Sequence, residues 1–264
     1  MRIKRVLFGV LAVATLGLAS CGKEKELKGF DIDLAKVVSK ELGVEVKFQE
    51  IVWEYKELEL SSKNIDLIWN GLTITDERKE NLELSIPYLE NRQVIVSKDK
   101  NIDLNKNLIV SFEAGSAGED LFESDSNFSS MTRVETSAQV DALTEVLSNN
   151  SDIAIIDATM AGYYINSNTS YSSLNIIDYN TESEFYGIAA RKGEKALINK
   201  INEIITRLYD NKIREVANKY GLTDFLVTPE SYDTTSNDDS LDYIINKKSL
   251  VIGYTIFAPI AFEE

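Results

Sequence analysis

The chain has 264 residues, with 43 acidic and 28 basic side chains, no histidine, one cysteine and a formal net charge of -15. An excess of negative charge this large argues against nucleic acid or an anionic membrane face as the partner. The absence of histidine excludes histidine-based triads and histidine metal ligands, and a single cysteine excludes an internal disulfide. The composition therefore favours binding over catalysis, and we expect neither a cofactor nor a metal.

The first 21 residues have the pattern of a lipoprotein signal peptide. A basic start, residues 2–5, precedes an apolar stretch, residues 6–19, which is too short to span a bilayer comfortably. The sequence Leu-Ala-Ser-Cys that ends at Cys21 resembles the lipobox of bacterial lipoproteins. We expect a signal peptide over residues 1–20, a lipid on Cys21 and an extracytoplasmic location on the cell membrane. An ordinary secreted protein with a stray cysteine is the alternative.

Alternating helix and strand patterns follow and predict an α/β fold. Residues 30–42 place apolar side chains on one helical face and end at Gly43, which predicts a helix. Residues 44–48 alternate apolar and polar side chains, which predicts a half-buried strand. The further predicted elements are a short helix from Tyr55, strands over 65–69 and 108–112, a helix from Ala117, a strand over 153–156, a helix from Thr159, and amphipathic helices over 198–209 and 213–220.

Three loops that follow predicted strands carry the candidate binding residues, at the place where open α/β sheets bind ligands. In the first loop, Gly71 lets the backbone approach a ligand, Thr73 offers a hydroxyl and an amide, and Arg78 offers a fork suited to a carboxylate. The second, residues 112–118, enters a helix whose N–H groups favour an anion. The third ends at Asp157, whose carboxylate suits an ammonium group. Together these groups match the zwitterionic head of an α-amino acid.

Each candidate also has an interpretation that involves no ligand. Arg78 could pair with a neighbouring glutamate on a surface helix. Ser116 and Asp157 could simply cap the helices that follow them. Trp53 and Trp69 belong to a residue type that is more often found in the core or in a cleft wall than as a stacking platform. Only the joint order of these residues along the chain favours a binding site.

Short motifs along the chain carry a resemblance to a known family. They are Gly29 to Ala35, Ile68 to Arg78, Pro87 to Asn91, Ala114 to Ser116, Asp157 with Tyr163 to Ile165, Glu184 to Ala189, and Arg191 to Gly193. With these motifs the chain resembles the type II periplasmic substrate-binding proteins of ABC importers, in the branch that binds polar amino acids. The resemblance implies a two-lobed α/β fold with a ligand cleft between the lobes. Lobe 1 would comprise residues 27–95 and 187–264, and lobe 2 residues 96–186.

The resemblance also implies a set of binding residues. An arginine would grip the ligand's α-carboxylate with backbone amides, a carboxylate would hold the α-ammonium, and aromatic rings would line the side-chain pocket. The residues are Arg78 with the amides of Thr73 and Ser116, and Ala117 beside them, for the carboxylate; Asp157, the Gly71 carbonyl and the Thr73 hydroxyl for the ammonium; and Trp53, Trp69 and Phe257 for the pocket.

The function implied by the resemblance is capture of an amino acid by closure of the two lobes. The ligand would be polar, cystine-like or glutamine-like, and the closed protein would dock on the membrane subunits of an ABC permease. Three alternatives stay open: an amino-acid sensor or chemoreceptor domain, a dehydratase-like enzyme on the same scaffold with Glu113 as its acid–base candidate, and a permutant without function.

The order of the segments departs from the family. There, a strand and an aromatic-proline loop precede the Gly-Phe-Asp helix, whereas here residues 250–262 carry that piece late in the chain, after linker-like residues 229–240. We therefore expect a circularly permuted first strand at the C-terminus. A truncated second domain is the alternative. Pairing of residues 250–255 in one sheet with residues 44–50 and 65–69 would favour permutation.

Overall fold

Two β-sheets with helices packed against them organise the chain in a computed structural model, which describes residues 26–166, 170–177 and 179–264. The strands, in chain order, are β1 (Leu27–Lys28), β2 (Glu45–Glu50), β3 (Leu67–Thr73), β4 (Leu82–Leu84), β5 (Leu89–Asn91), β6 (Gln93–Ser97), β7 (Ile109–Glu113), β8 (Thr132–Thr136), β9 (Ile153–Asp157), β10 (Asn175–Ile177), β11 (Glu184–Arg191), β12 (Ser249–Tyr254) and β13 (Phe262–Glu263).

Nine α-helices lie between these strands in the described part of the chain. They are α1 (Phe30–Leu42), α2 (Lys56–Ser61), α3 (Asp76–Asn81), α4 (Ala117–Ser124), α5 (Gln139–Leu147), α6 (Ala158–Asn166), α7 (Lys195–Leu208), α8 (Arg214–Lys219) and α9 (Ser240–Lys247). The bounds of α1 agree with the predicted helix because Gly43 ends it in the left-handed conformation, with φ 71°. The predicted strand and helix positions around α4 and β9 are likewise confirmed to within a residue.

The two sheets differ in strand order. The larger sheet has the order β2-β12-β3-β11-β4, with β5 paired to β11, and the smaller has the order β10-β6-β9-β7-β8. Both are mixed, since β11 runs antiparallel to β3 and β6 runs antiparallel to β9. The carboxyl ends of β3, β7 and β9 carry the three predicted binding loops. The first of these loops begins inside β3, which continues through Thr73 rather than ending at Trp69 as predicted.

β12 is an inner strand of the larger sheet. It pairs in parallel with β2 from Ser249 to Tyr254, and with β3 at Ile252 and Gly253. The side chains of Leu250 and Ile252 are fully buried. The pairing that the sequence predicted for residues 250–255 is therefore confirmed, and the sheet depends on this late segment for one of its inner strands.

The residues after β12 fold back against the start of α1. Leu27 lies opposite Glu263 in the short antiparallel pair of β1 and β13. The N–H of Glu26 donates to the carbonyl of Glu264 over 3.1 Å, and the N–H of Glu264 donates to the carbonyl of Glu26 over 3.3 Å. The first residues of α1 are bonded as well, since the N–H of Phe30 donates to the carbonyl of Pro259 over 2.9 Å. The late segment, residues 249–264, is thus hydrogen-bonded to α1 as well as to the larger sheet.

The predicted signal peptide, residues 1–20, and the predicted lipidation site, Cys21, lie outside the described residues. Within the described part of the chain, no helix combines the length and apolar character needed to cross a membrane. Residues 227–239, which include most of the predicted linker, form neither helix nor strand and are mostly exposed.

Candidate functional site

A cleft between the two sheets is lined by residues from both. The larger sheet and its loops contribute Trp53, Asn70, Gly71, Thr73, Arg78, Thr255 and Phe257, and the smaller sheet contributes Glu113, Ser116, Ala117, Gln139 and Asp157. The cavity between them has a volume of about 10 Å³, which is room for about one water molecule. The two sides therefore lie close together across a small space.

All the residues predicted to bind a ligand line this cleft except Trp69. Trp69 is fully buried and packs in the core with Phe30 and Tyr88. Trp69 precedes Gly71 by two residues in β3 and lies on the same face of the strand, but deeper in the core, where it does not line this cavity. The cavity therefore gives no support to the predicted place of Trp69 in the side-chain pocket. The ligand contacts of the other residues stay predictions.

Arg78 enters the cleft from the first turn of α3. Thr75 caps this helix, since its hydroxyl accepts a hydrogen bond from the N–H of Arg78 over 3.1 Å. The guanidinium donates to the carbonyl of Thr73 over 2.7 Å and is buried. It forms no ion pair with any residue that the structure describes, so the suggested pairing with a neighbouring glutamate is not found. Because one of its five donors makes this bond, the guanidinium retains others for a carboxylate.

The loop before α4 is held by its own hydrogen bonds. The hydroxyl of Ser116 caps the helix by accepting from the N–H groups of Gly118 and Glu119 over 3.2 and 3.4 Å. The N–H of Ser116, which the resemblance assigns to the ligand, donates to the carbonyl of Glu113 over 3.2 Å. The N–H of Gly115 donates to the carboxylate of Glu119 over 2.6 Å. Capping is thus confirmed for Ser116, and a ligand carboxylate would compete for its amide.

Asp157 ends β9 and is held by three amide side chains. Its Oδ2 accepts from Nε2 of Gln139, and its Oδ1 accepts from Nδ2 of Asn91 and, over 2.7 Å, from Nε2 of Gln93. The same two nitrogen atoms of Asn91 and Gln93 also donate to Oε1 of Glu184, over 2.5 and 2.7 Å. Asp157 and Glu184 therefore form a carboxyl pair that shares its donors.

The carboxyl pair also joins the two sheets. Glu184 lies in β11 of the larger sheet, and its Oε2 accepts from the hydroxyl of Thr73 over 3.2 Å. Burial, followed by the nearby charge of Asp157, raises the pKa of Glu184 to about 8. Burial also raises the pKa of Asp157. The pair therefore carries a proton near pH 7 and presents about one negative charge rather than two.

Lys56 is a buried cation beside the cleft that no sequence motif indicated. Its Nζ donates to the carbonyl of Gly115 over 2.8 Å and to the carbonyl of Trp53 over 3.4 Å. The same atom lies 5.1 Å from the centroid of the Trp53 ring. Burial, followed by the charge of Arg78, lowers the pKa of Lys56 to about 8. Since Lys56 begins α2 and Gly115 precedes α4, this contact joins the two sides of the cleft.

Glu113 is a buried acid at the end of β7 that faces the cleft. It is 3% exposed, and its Oε1 has no hydrogen-bond partner within the described ranges. Burial raises the pKa of Glu113 well above its ordinary value, and the charge of Asp157 adds to the effect, whereas Lys56 opposes it. An acidic residue at a strand end was visible in the sequence, but its burial without a partner was not.

Comparisons with known proteins identify the family. A sequence profile of the bacterial extracellular solute-binding proteins, family 3, matches residues 18–223. The arginine-binding extracellular protein ArtP of Bacillus subtilis is 30% identical over 187 residues, which cover 69% of this chain and 73% of ArtP. The ABC transporter glutamine-binding protein GlnH of the same organism is 29% identical over 225 residues, which cover 82% of this chain and 81% of GlnH.

Solved structures show the same relationship. A substrate-binding protein of an ABC uptake transporter from Streptococcus pneumoniae, with bound histidine, aligns with a TM-score of 0.71 and 32% identity over 76% of this chain and 85% of that chain. The type II periplasmic-binding-protein architecture predicted from the sequence is therefore confirmed. This chain belongs to the bacterial extracellular solute-binding proteins of family 3.

Proposed function

We propose that the protein captures an amino acid in the cleft between its sheets and delivers it to an ABC-type importer. The observation that carries the proposal is the placement of one buried guanidinium, Arg78, and one buried carboxylate, Asp157, on opposite sides of the same cleft. Relatives named as arginine-binding and glutamine-binding proteins support the ligand class. The name of GlnH supports the partner, the membrane subunits of an ABC permease.

The head group would be held by complementary charges. Its carboxylate would accept from Arg78, because a guanidinium presents a planar pair of donors that matches two carboxylate oxygens. Its ammonium would donate to Asp157, to the carbonyl of Gly71 and to the hydroxyl of Thr73. The amides that hold Asp157 fix the orientation of its carboxylate before the ligand arrives, which lowers the entropic cost of binding.

Capture would proceed by closure of the two predicted lobes, residues 27–95 with 187–264 and residues 96–186. Since Arg78 and Asp157 come from different lobes, the ligand satisfies both only when the cleft is shut. A ligand that interacts better with one arrangement shifts the population toward it. The closed form would then be the one that docks on the permease.

Isothermal titration calorimetry with a panel of amino acids tests the proposal. Arg78→Ala should weaken binding by about 2–5 kcal/mol, since it leaves the ligand carboxylate buried without its partner. Arg133→Ala is the matched control, because Arg133 is half-exposed and pairs with acidic residues on the surface. Unchanged affinity in the Arg78 variant would refute the assigned role, and no binding of any amino acid to the wild type would refute the function.

A lipid anchor on Cys21 is part of the proposed function. Its support is the pattern of residues 1–21, a basic start, a short apolar stretch and a lipobox-like ending. One lipid-modified cysteine would hold the protein at the outer face of the cell membrane. Mass spectrometry of the mature N-terminus should find a diacylglyceryl cysteine that Cys21→Ser abolishes; an unmodified Cys21 in the secreted protein would contradict the anchor.

We also propose that residues 241–264 occupy the place of the family's first strand, as in a circular permutant. Two observations support this: the family profile matches residues 18–223, and β12 nevertheless lies between β2 and β3. The mutual backbone hydrogen bonds of Glu26 and Glu264 also place the late segment next to the residues that precede α1. A reordered chain, in which residues 241–264 are joined by a turn to residue 26, should fold and bind the same ligand. Loss of folding would favour the truncated second domain.

A further inference from the structure

The unpaired atom of Glu113 indicates a ligand group that the protein itself does not supply. Buried polar atoms in proteins almost always have a hydrogen-bond partner, and an atom without one destabilises the folded protein. Oε1 of Glu113 has none among the described residues, although the side chain lies in the cleft wall. A donor on the ligand's side chain would satisfy it.

Lys56 places a positive charge beside the cleft, on the side opposite Glu113. Its Nζ is anchored by two carbonyls and lies over the face of Trp53, 5.1 Å from the ring centroid. Aromatic ring faces attract cations electrostatically, and Lys56 occupies this face of Trp53. The site on the ring is thus already occupied by a cation of the protein.

The charges around the cleft are balanced when Glu113 is ionised and net positive when it is protonated, before any ligand side chain enters. Arg78 and Lys56 supply two positive charges, and the pair of Asp157 and Glu184, with its shared proton, supplies about one negative charge. Glu113 supplies a second negative charge when it ionises. The other acids that influence Lys56, Glu57 and Asp120, are exposed to solvent, which screens them. A zwitterion leaves this balance unchanged, whereas a cationic side chain adds an uncompensated charge to a buried site.

We propose that the captured amino acid has an uncharged side chain that donates a hydrogen bond to Glu113, of the carboxamide class, and that Lys56 excludes cationic side chains. The inference rests on the proposed function and narrows its ligand. A protonated carboxyl and a carboxamide are complementary, because each carries one donor edge and one acceptor edge. Burial favours this protonated form of Glu113.

Calorimetry with glutamine, asparagine, arginine and lysine tests the selection on the wild-type protein. We expect glutamine or asparagine to bind at least about tenfold more tightly than arginine or lysine, a difference of about 1.4 kcal/mol. Tighter binding of arginine or lysine would overturn this inference and still support amino-acid capture. No binding of any amino acid would instead contradict the proposed function, so the two failures are distinguishable.

Two variants assign the selection to named residues. Lys56→Met keeps the length of the side chain and removes its charge, so the ratio of carboxamide to arginine affinity should fall about tenfold or more. Lys79→Met is the control, since Lys79 is exposed and pairs only with Asp76 among its described neighbours. The ratio of carboxamide to arginine affinity in Lys79→Met should equal that of the wild type. If Lys56→Met also keeps the wild-type ratio, the role of Lys56 is overturned.

Glu113→Leu tests the proposed side-chain contact even if Lys56→Met fails to fold. It removes the acceptor but leaves the head-group residues in place, so it should weaken binding of the carboxamide ligand about tenfold or more relative to binding of alanine. Equal effects on both ligands would overturn the contact between Glu113 and the ligand's side chain. Thermal melting of each variant shows that the folded protein is being compared.

Discussion

A Cβ atom built on Gly71 would lie 2.6 Å from Cε1 of Phe257. Gly71 belongs to β3 and has φ 61°, and Phe257 lies in the loop after β12. One wall of the cleft is therefore made by two segments from distant parts of the sequence, in contact at a position where only a glycine fits. This contact makes the cleft sensitive to the docking of the late segment.

Gly71→Ala should destabilise the protein and weaken ligand binding. The left-handed conformation costs a non-glycine residue about 1–2 kcal/mol, and the added methyl must also displace the Phe257 ring, which adds about 1–3 kcal/mol. Gly43→Ala is the matched control, because Gly43 has φ 71° and no atom within 4 Å of its Cβ position. Urea unfolding should show the larger loss for Gly71→Ala. Equal losses would mean that the Phe257 contact is absent in solution.

Ile252→Ala should lower the free energy of unfolding by about 2–5 kcal/mol, as expected for a large side chain removed from a packed core. Ile252 is fully buried in β12, between β2 and β3. Ile245→Ala removes the same atoms from a side chain of α9 that is 41% exposed, and it should change stability by less than about 0.5 kcal/mol. Urea titration of both variants measures the difference, and similar losses would show that β12 does not form the inner strand.

Glu184→Gln should change how stability depends on pH. Asp157 and Tyr186 are the ionisable groups that interact with Glu184, whose pKa is raised to about 8 from its ordinary 4.5. The folded state therefore holds a proton that the unfolded state releases between these values. The resulting stability is fully present below pH 4.5 and is lost as the pH rises through 8.

Glutamine mimics the protonated acid and does not titrate, so the variant should gain stability relative to the wild type as the pH rises from 5 to 9. Chemical unfolding across this range measures the difference. Glu203→Gln, which changes a half-exposed glutamate on α7, should show no such trend. A constant difference between Glu184→Gln and the wild type would mean that Glu184 is ionised throughout in the folded protein.

The sequence predicted the fold and the two charged ends of the site because both leave local signals. Helical periodicity and a glycine stop define α1, and Arg78 and Asp157 follow strands whose apolar residues are continuous. The position of Trp69 away from the cavity was not predictable, because every residue of β3 is buried and no alternation separates the residues that reach the cleft from those in the core.

The polar contacts of the site could not be predicted from the sequence, for a different reason. Gln93 and Glu184 lie in strands of different sheets and meet only in the folded protein. Glu184 begins one of the family motifs, but nothing in that motif marks its contact with Gln93. Lys56 likewise begins a short helix of mostly acidic and apolar residues, and its role depends on the approach of Gly115. Such pairings follow from tertiary contacts between distant segments and leave no periodic pattern.

The selectivity assigned to Lys56 should weaken at high pH. Its pKa is lowered to about 8, and the charged groups that act on it are Arg78, Glu57, Glu113 and Asp120. Between pH 7 and pH 9.5 Lys56 loses its proton, whereas the guanidinium of an arginine ligand stays charged. The repulsion against arginine then disappears, so the ratio of glutamine to arginine affinity should fall.

Competition calorimetry with both ligands at the two pH values measures this ratio, and any titration of the ligands' common α-ammonium group largely cancels in it. Ionisation of Glu113 also favours arginine at high pH, and Lys56→Met separates the two effects because it retains Glu113. The ratio should change more in the wild type than in Lys56→Met. An equal change in both proteins would assign the pH dependence to Glu113, and no change in the wild type would mean that the charge of Lys56 does not act on the ligand.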